Sequence, residues 1–173
     1  MNIVLIGYRG TGKSAISRIL TDTLHCRRYS IDDEVVRQAG KPIPEIVEQE
    51  GWSKFREIER ELVRKISAEI RSSVIDCGGG VVLDERNVAD LKRDGKVILL
   101  VASPEKILER IHRDANRPPL IEGLSFEEEQ RQILKERDPK YRAAADCIFD
   151  TTHLKPRQTA MKIIEHFKKK GWV

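Results

Sequence analysis

The chain opens Met1-Asn2-Ile3-Val4-Leu5-Ile6-Gly7-Tyr8-Arg9-Gly10-Thr11-Gly12-Lys13-Ser14, and the reading of this stretch decides the fold. The apolar, β-branched run before Gly7 predicts a fully buried strand ending in a turn. From Gly7 to Ser14 every fixed position of G-x-x-x-x-G-K-[ST] is filled, which is the phosphate-binding loop of nucleoside-triphosphate proteins. Glycines let the backbone curl until several N–H groups point inward at a phosphate, and the helix beginning near Lys13 adds its positive end. The segment Gly10, Thr11, Gly12, Lys13, Ser14 and Ala15 is therefore expected to wrap the phosphates. Lys13 supplies a mobile charge for the β- and γ-phosphates, and the Ser14 hydroxyl is placed to ligate Mg²⁺. A glycine-rich turn can match such a pattern by chance. Here the context is right: a strand precedes it, and a helix from Ala15 to Leu24 follows with Ile16, Ile19 and Leu20 on one face.

Working outward, 173 residues suit one domain, 1–173, long enough to bury a core without staples. Charged residues make up 35% and the apolar set 39%, which argues against both a membrane protein and a disordered one. The longest plainly apolar run, Val97 to Ala102, is too short to span a bilayer, and the first strand is too short for a signal peptide, so the cytoplasm is the expected location. Cys26, Cys77 and Cys147 are odd in number and widely spaced, which suggests small buried hydrophobes rather than disulfides or a zinc site. A net charge of +4 suits an enzyme that gathers two anionic substrates. The basic residues are scattered among acids with few aromatics, so nucleic acid is not an expected partner. The basic run Lys168-Lys169-Lys170 complements the dipole of the closing helix.

In chain order, His25 to Ile31 predicts a second strand running into Asp32, Asp33 and Glu34, on the edge where ligands bind in α/β sheets. Asp32 is a candidate contact for a substrate hydroxyl, and Asp32 or Asp33 is expected to cap a helix from Glu34 to Ala39. A short helix over 43–50 stops at Gly51. A long one follows from Ser53, with Ile58, Leu62, Ile66 and Ile70 as one buried stripe. An arginine such as Arg56 in its first turns is ordinarily a solvated charge, and only its company marks it out. Val74 to Cys77 forms a strand entering Gly78-Gly79-Gly80, bare backbone that suits close approach by a ligand. Asp84 caps a helix through Lys92, Lys96 to Ala102 is the next strand, and Ser103-Pro104 opens a helix to about Arg113. The irregular stretch from Arg113 to Gly123, with Arg117 before two prolines, reads as a lid over about 112–124. Ser125 to Glu128 is a capping box opening a helix that carries Arg131, Arg137 and Arg142. A strand over 146–150 and a helix over 156–170 close the chain. Strands alternating with helices predict a three-layer α/β/α architecture around a five-stranded parallel sheet, its strands near 2–6, 27–31, 73–77, 96–102 and 146–150.

A phosphate loop alone fits a kinase, a GTPase or a motor. No N-K-x-D guanine reader occurs, and a motor needs more chain. Asp32, Arg56, Arg117, Arg142 and the triple glycine suit phosphoryl transfer to a small anionic acceptor, because arginine forks grip a carboxylate bidentately and Asp32 can orient or deprotonate a hydroxyl.

The order phosphate loop, Asp32, Phe55-Arg56, Gly78-Gly79-Gly80, Arg117-Pro118 and Tyr141-Arg142 resembles that of the shikimate kinases along essentially the whole chain. The resemblance implies a P-loop kinase fold with a mobile lid and a substrate-binding helical region over about 32–61. It implies transfer of the γ-phosphate of ATP to the 3-hydroxyl of shikimate, with ATP and Mg²⁺ as cofactors and a monomer as the working unit. It places shikimate on Asp32, Arg56, Gly78, Gly79, Gly80 and Arg142, with Arg56 and Arg142 at the carboxylate and Glu59 orienting Arg56. Arg117 falls over the transferring phosphate, while Arg110 and the loop Asp150-Thr151 to Pro156 fall on the adenine side. Lys13, Asp32 and Arg117 carry the catalytic roles. Two departures stand out: Ser30 replaces an acid associated with the Mg²⁺ hydration shell, and Pro119 stands where a leucine is common. Other readings are a gluconate-type kinase, a nucleoside monophosphate kinase, or a non-catalytic ATP-binding homologue.

Overall fold

The computed structural model describes residues 1–111 and 119–172. Its centre is β1 (Asn2–Ile6), buried along its whole length. The sheet also contains β2 (Arg27–Ser30), β3 (Ser73–Asp76), β4 (Gly95–Val101) and β5 (Cys147–Asp150), in the order β2-β3-β1-β4-β5 with every pairing parallel. The five expected strands form, each within about two residues of its expected bounds.

The two-residue period of a strand explains how the sheet builds two cores. Val4, Ile6, Ile75, Val97 and Leu99 point to one face, while Ile3, Leu5, Val74, Ile98 and Leu100 point to the other. The second face is covered by α1 (Lys13–Leu24), through Ile16 and Leu20, and by α7 (Pro156–Lys169), through Ile163 and Phe167. The first is covered by α2 (Ile31–Ala39), α3 (Ile43–Glu69), α4 (Glu85–Arg93), α5 (Pro104–Ile111) and α6 (Phe126–Ala144). Helices on both faces of a parallel sheet make the three-layer arrangement expected. Among the described residues no helix is long and apolar enough to cross a membrane.

Three local details position the site. Helix α3 is two helices joined at Gly51, where the backbone leaves helical geometry (φ 81°, ψ 167°), so the turn carrying Phe55 and Arg56 is aimed independently of residues 43–50. The Asn2 side chain donates to Ile70 O at 2.8 Å and accepts from Ser73 N at 3.2 Å, pinning the entry to β3 beside β1. The third concerns α2, which begins at Ile31 and not at Glu34. Its cap is Ser30, whose Oγ accepts from Asp33 N at 3.3 Å, so neither Asp32 nor Asp33 caps as expected. A serine in extended conformation at the end of β2 already offers the hydroxyl that helix starts favour, and the carboxylates fall into the first turn. The cysteines also depart from expectation: Cys77 is buried, but Cys26 and Cys147 are half-buried, and none forms a disulfide.

Candidate active site

The phosphate loop leaves the carboxyl end of β1 and turns into α1 at Gly12 (φ 96°). Its shape is held from within and from behind. Thr11 Oγ1 donates to Tyr8 O at 2.7 Å, and Lys13 Nζ donates to Gly7 O at 2.7 Å and Tyr8 O at 3.0 Å. Behind it, Thr151 Oγ1 donates to Thr11 O at 2.9 Å, and Arg110 donates to Gly10 O at 3.0 Å and Thr151 O at 2.8 Å. Arg110 thus braces the loop from α5 at the end of β5. Gly10, Gly12, Lys13, Ser14 and Ala15 line a cavity of about 280 Å³ together with Arg110 and Asp32. Thr11 is buried and contributes its backbone, its side chain being turned into the loop.

A second cavity of about 290 Å³ adjoins the first, and Arg9, Asp32 and Asp33 line both. Its other walls include Phe55 and Arg56 from α3, Gly78 to Gly80 after β3, and Arg137 from α6. Arg56 donates to Glu59 Oε2 at 2.7 Å, and its guanidinium lies 4.9 Å from the Phe55 ring centroid and 5.5 Å from that of Trp52. Those contacts fix a planar fork in one orientation, as bidentate recognition of a carboxylate requires. Glu59 is almost fully buried, and burial raises its carboxyl against the opposing pull of Arg56.

The triple glycine is a place of close approach. A Cβ at Gly78 would stand 2.7 Å from Asp32 Oδ1 and 3.1 Å from Glu59 Oε1, and one at Gly80 would collide with the Arg56 guanidinium. A side chain at Gly78 or Gly80 would displace Asp32 or Arg56 from these positions, whereas a Cβ at Gly79 would meet only ordinary contacts. Tyr141, its hydroxyl pushed up to about 12 by burial, donates to Gly79 O and steadies the turn. Single side-chain atoms of Tyr8, Arg9, Glu59 and Arg137, all residues at or beside this cavity, are buried without a hydrogen-bond partner among the described residues. Orphaned polar atoms of both signs suit a ligand carrying a carboxylate and hydroxyls.

Arg142 is the correction. It does not line either cavity. Its side chain is 54% exposed and donates to Asp138 Oδ2 at 2.6 Å, and the two residues border a separate cavity of about 220 Å³ against α5 and the end of β4. Helical spacing gives the reason. The buried face of α6 runs through Ile133, Arg137, Tyr141 and Ala144, and a residue one step beyond Tyr141 is rotated about 100° off that face. Arg137 lines the second cavity and Arg142 does not, and four-residue spacing from the buried Tyr141 was the signal that would have singled it out. Pro139 sits inside the helix without ending it.

Arg117 and most of the expected lid lie outside the described residues. Just after them, Leu120 N and Ile121 N donate to Glu129 Oε2 at 2.7 and 3.1 Å, while Glu129 Oε1 accepts from Arg9. One buried carboxylate so ties the chain entering α6 to the phosphate loop, a link that sequence reading missed because its ends are far apart in the chain.

A parallel three-layer sheet with a phosphate loop at its central strand, opening into a cavity walled by Arg56, Arg137 and Asp32, defines a P-loop phosphotransferase of the small-metabolite kind. The sequence model of the shikimate kinase family matches residues 9–168, and the chain belongs to that family. A shikimate kinase of Thermodesulfovibrio yellowstonii is 39% identical over 168 residues, covering 97% of this chain and 95% of its own. One from Caldanaerobacter subterraneus is 38% identical over 171 residues, with 98% of each chain covered. Among solved structures, shikimate kinase from Acinetobacter baumannii in complex with shikimate superposes with a TM-score of 0.91 at 34% identity, covering 98% of this chain and 93% of its own. That from Aquifex aeolicus gives 0.84 at 29%, covering 99% and 98%.

Proposed function

We propose that this protein transfers the γ-phosphate of ATP to the 3-hydroxyl of shikimate, giving shikimate 3-phosphate and ADP. The observation that carries the reading is the pair of adjoining cavities sharing Asp32, one walled by the phosphate loop and the other by Arg9, Arg56 and Arg137. Arg56 and Arg137 hold the carboxylate of the acceptor, and Gly78 to Gly80 let its ring approach the backbone. Asp32, on the shared wall, orients the attacking hydroxyl and takes its proton as the new P–O bond forms and the bond to ADP breaks. Lys13 and the loop N–H groups meet the charge that develops on the phosphoryl oxygens, and Arg117 is expected to close over it.

Ser14 lines the phosphate cavity together with Asp32 and Asp76, oxygen donors that suit a hard cation such as Mg²⁺, and the Ser14 hydroxyl would hold it. When bound, Mg²⁺ neutralises phosphate charge. The scattering of basic residues among acids argues against a nucleic-acid partner, and a cytoplasmic monomer is part of the same proposal.

A coupled assay offering shikimate, gluconate and nucleoside monophosphates separately tests the proposal. ATP turnover with shikimate alone is expected. Turnover with either other acceptor, or shikimate binding without turnover, would overturn it.

A further inference from the structure

The phosphate cavity contains a carboxylate that the reaction outlined above does not use. Asp76 ends β3 at the register position opposite Ser30 of β2, and it lines the cavity together with Lys13 and Ser14. Its side chain is only 5% exposed. Oδ2 accepts from Arg28 Nη2 at 2.6 Å and from Ser17 Oγ at 3.1 Å, whereas Oδ1 receives no hydrogen bond among the described residues. Arg28 Nε also donates to Ser17 Oγ at 2.7 Å, so the carboxylate is gripped at one oxygen from β2 and α1 together.

The other oxygen donors near Ser14 are spent or point elsewhere. The Ser30 hydroxyl caps α2. Asp32 Oδ1 faces Gly78 and the acceptor cavity. Asp33 is 69% exposed and pairs with Arg28 at 3.3 Å. Arg28 is therefore shared by two carboxylates, so the trio of Asp33, Asp76 and Arg28 keeps one negative charge uncompensated within a cavity also lined by Arg9, Lys13, Arg18 and Arg110. Among the described residues no three His, Cys, Asp or Glu side chains form a ready-made cation cage. That suits Mg²⁺, which keeps several waters and uses one or two protein oxygens plus the phosphates.

We propose that Asp76, held in place by Arg28 and Ser17, is the acid that faces the hydrated Mg²⁺ beside Ser14, one strand over from the neutral Ser30. This rests on the reading of Mg²⁺ at the phosphate loop given above. The acid could sit on either strand because Ser30 and Asp76 are register partners at the carboxyl edge of the sheet.

The test uses Mn²⁺ as a paramagnetic stand-in for Mg²⁺, titrated into the whole protein with saturating ADP, with free Mn²⁺ read by electron paramagnetic resonance. Asp76→Asn should weaken Mn²⁺ binding roughly tenfold, the usual scale for an outer-sphere partner, and leave metal-free ADP affinity within about twofold. Adding Ser30→Asp to that variant should recover most of the loss. Asp76→Asn leaves a half-buried guanidinium without part of its charge partner, so the double variant Arg28→Met/Asp76→Asn is measured beside it, and the same loss is expected. Mn²⁺ affinity within twofold of the wild type in either folded variant would overturn the assignment, as would an equal fall in metal-free ADP affinity. Failure of the wild-type ADP complex to bind Mn²⁺ would instead remove the Mg²⁺ reading itself, and this inference with it.

Discussion

The two halves of the site are built by opposite means. The phosphate side centres on one continuous stretch, residues 7–15, whose backbone forms the turn and whose Lys13 is held against Gly7 O and Tyr8 O, with Arg28, Asp76 and Arg110 closing the wall around it. The acceptor side is gathered from α2, α3, the turn after β3, and α6, and combines charged side chains with bare backbone, braced from behind: Arg56 by Glu59 and Gly79 by Tyr141. A backbone cradle recognises what all nucleoside triphosphates share. A set of braced side chains recognises one acceptor, because moving any fork misplaces two hydrogen bonds at once. The chemistry that is general is therefore local in sequence, and the chemistry that is specific is spread over it.

Removing the charge at the phosphate side should give the largest effect. Lys13→Ala is expected to lower kcat on the order of a thousandfold, as for loss of a preorganised charge at the transferring group, while ADP still binds through the loop N–H groups. Steady-state kinetics beside ADP titration checks this; a rate within tenfold of the wild type would show that the loop needs no lysine and would erase the contrast between backbone and charge.

On the acceptor side the loss should fall on shikimate instead. Arg137→Ala should raise the KM for shikimate roughly tenfold to a hundredfold, the worth of hydrogen bonds to a charged group, with the KM for ATP little changed. Arg142→Ala should leave both constants near wild type, since it pairs with Asp138 away from the two cavities that share Asp32. If Arg142 proved the more sensitive of the two, the cavity described here would not be the acceptor site.

That pair also shows where the sequence stops being sufficient. The phosphate loop, the five strands, the capping box at Ser125 and the long stripe on α3 were all readable, because each is set by a local period or by hydrogen bonding within a few residues. Arg56, Asp32 and the triple glycine were readable as candidates, and the fold brings them together. Choosing between Arg137 and Arg142 needed the phase of α6 against the sheet, which Tyr141 and Ile133 fix by burial and not by any motif. Ser30 was read for the charge it lacks, whereas the fold uses its hydroxyl to start α2. Asp76 and Glu129 were invisible for a similar reason: their partners Arg28 and Arg9 lie 48 and 120 residues away along the chain.

The smallest expected effect concerns what the bracing of Arg56 costs the fold. Burial raises the Glu59 carboxyl above its usual value and Arg56 offsets only part of that. For an acid whose folded-state pKa lies above its unfolded value, the contribution to stability is fully present below the unfolded value and is lost as pH rises through the folded one. Glu59→Gln has no such proton to lose. Relative to the wild type, the variant should therefore gain stability as pH rises above the ordinary carboxylate range, read as the shift in urea midpoint at each pH. The same change removes the ionic partner that orients Arg56, so the KM for shikimate should rise several-fold, the scale of one charge-assisted hydrogen bond. Stability and acceptor binding would then move in opposite directions, as expected if the charged groups of this cavity are kept for the ligand and not for the fold. A stability difference that stays flat with pH would mean that Glu59 rests comfortably in its pocket, and that bracing an arginine there costs the fold nothing.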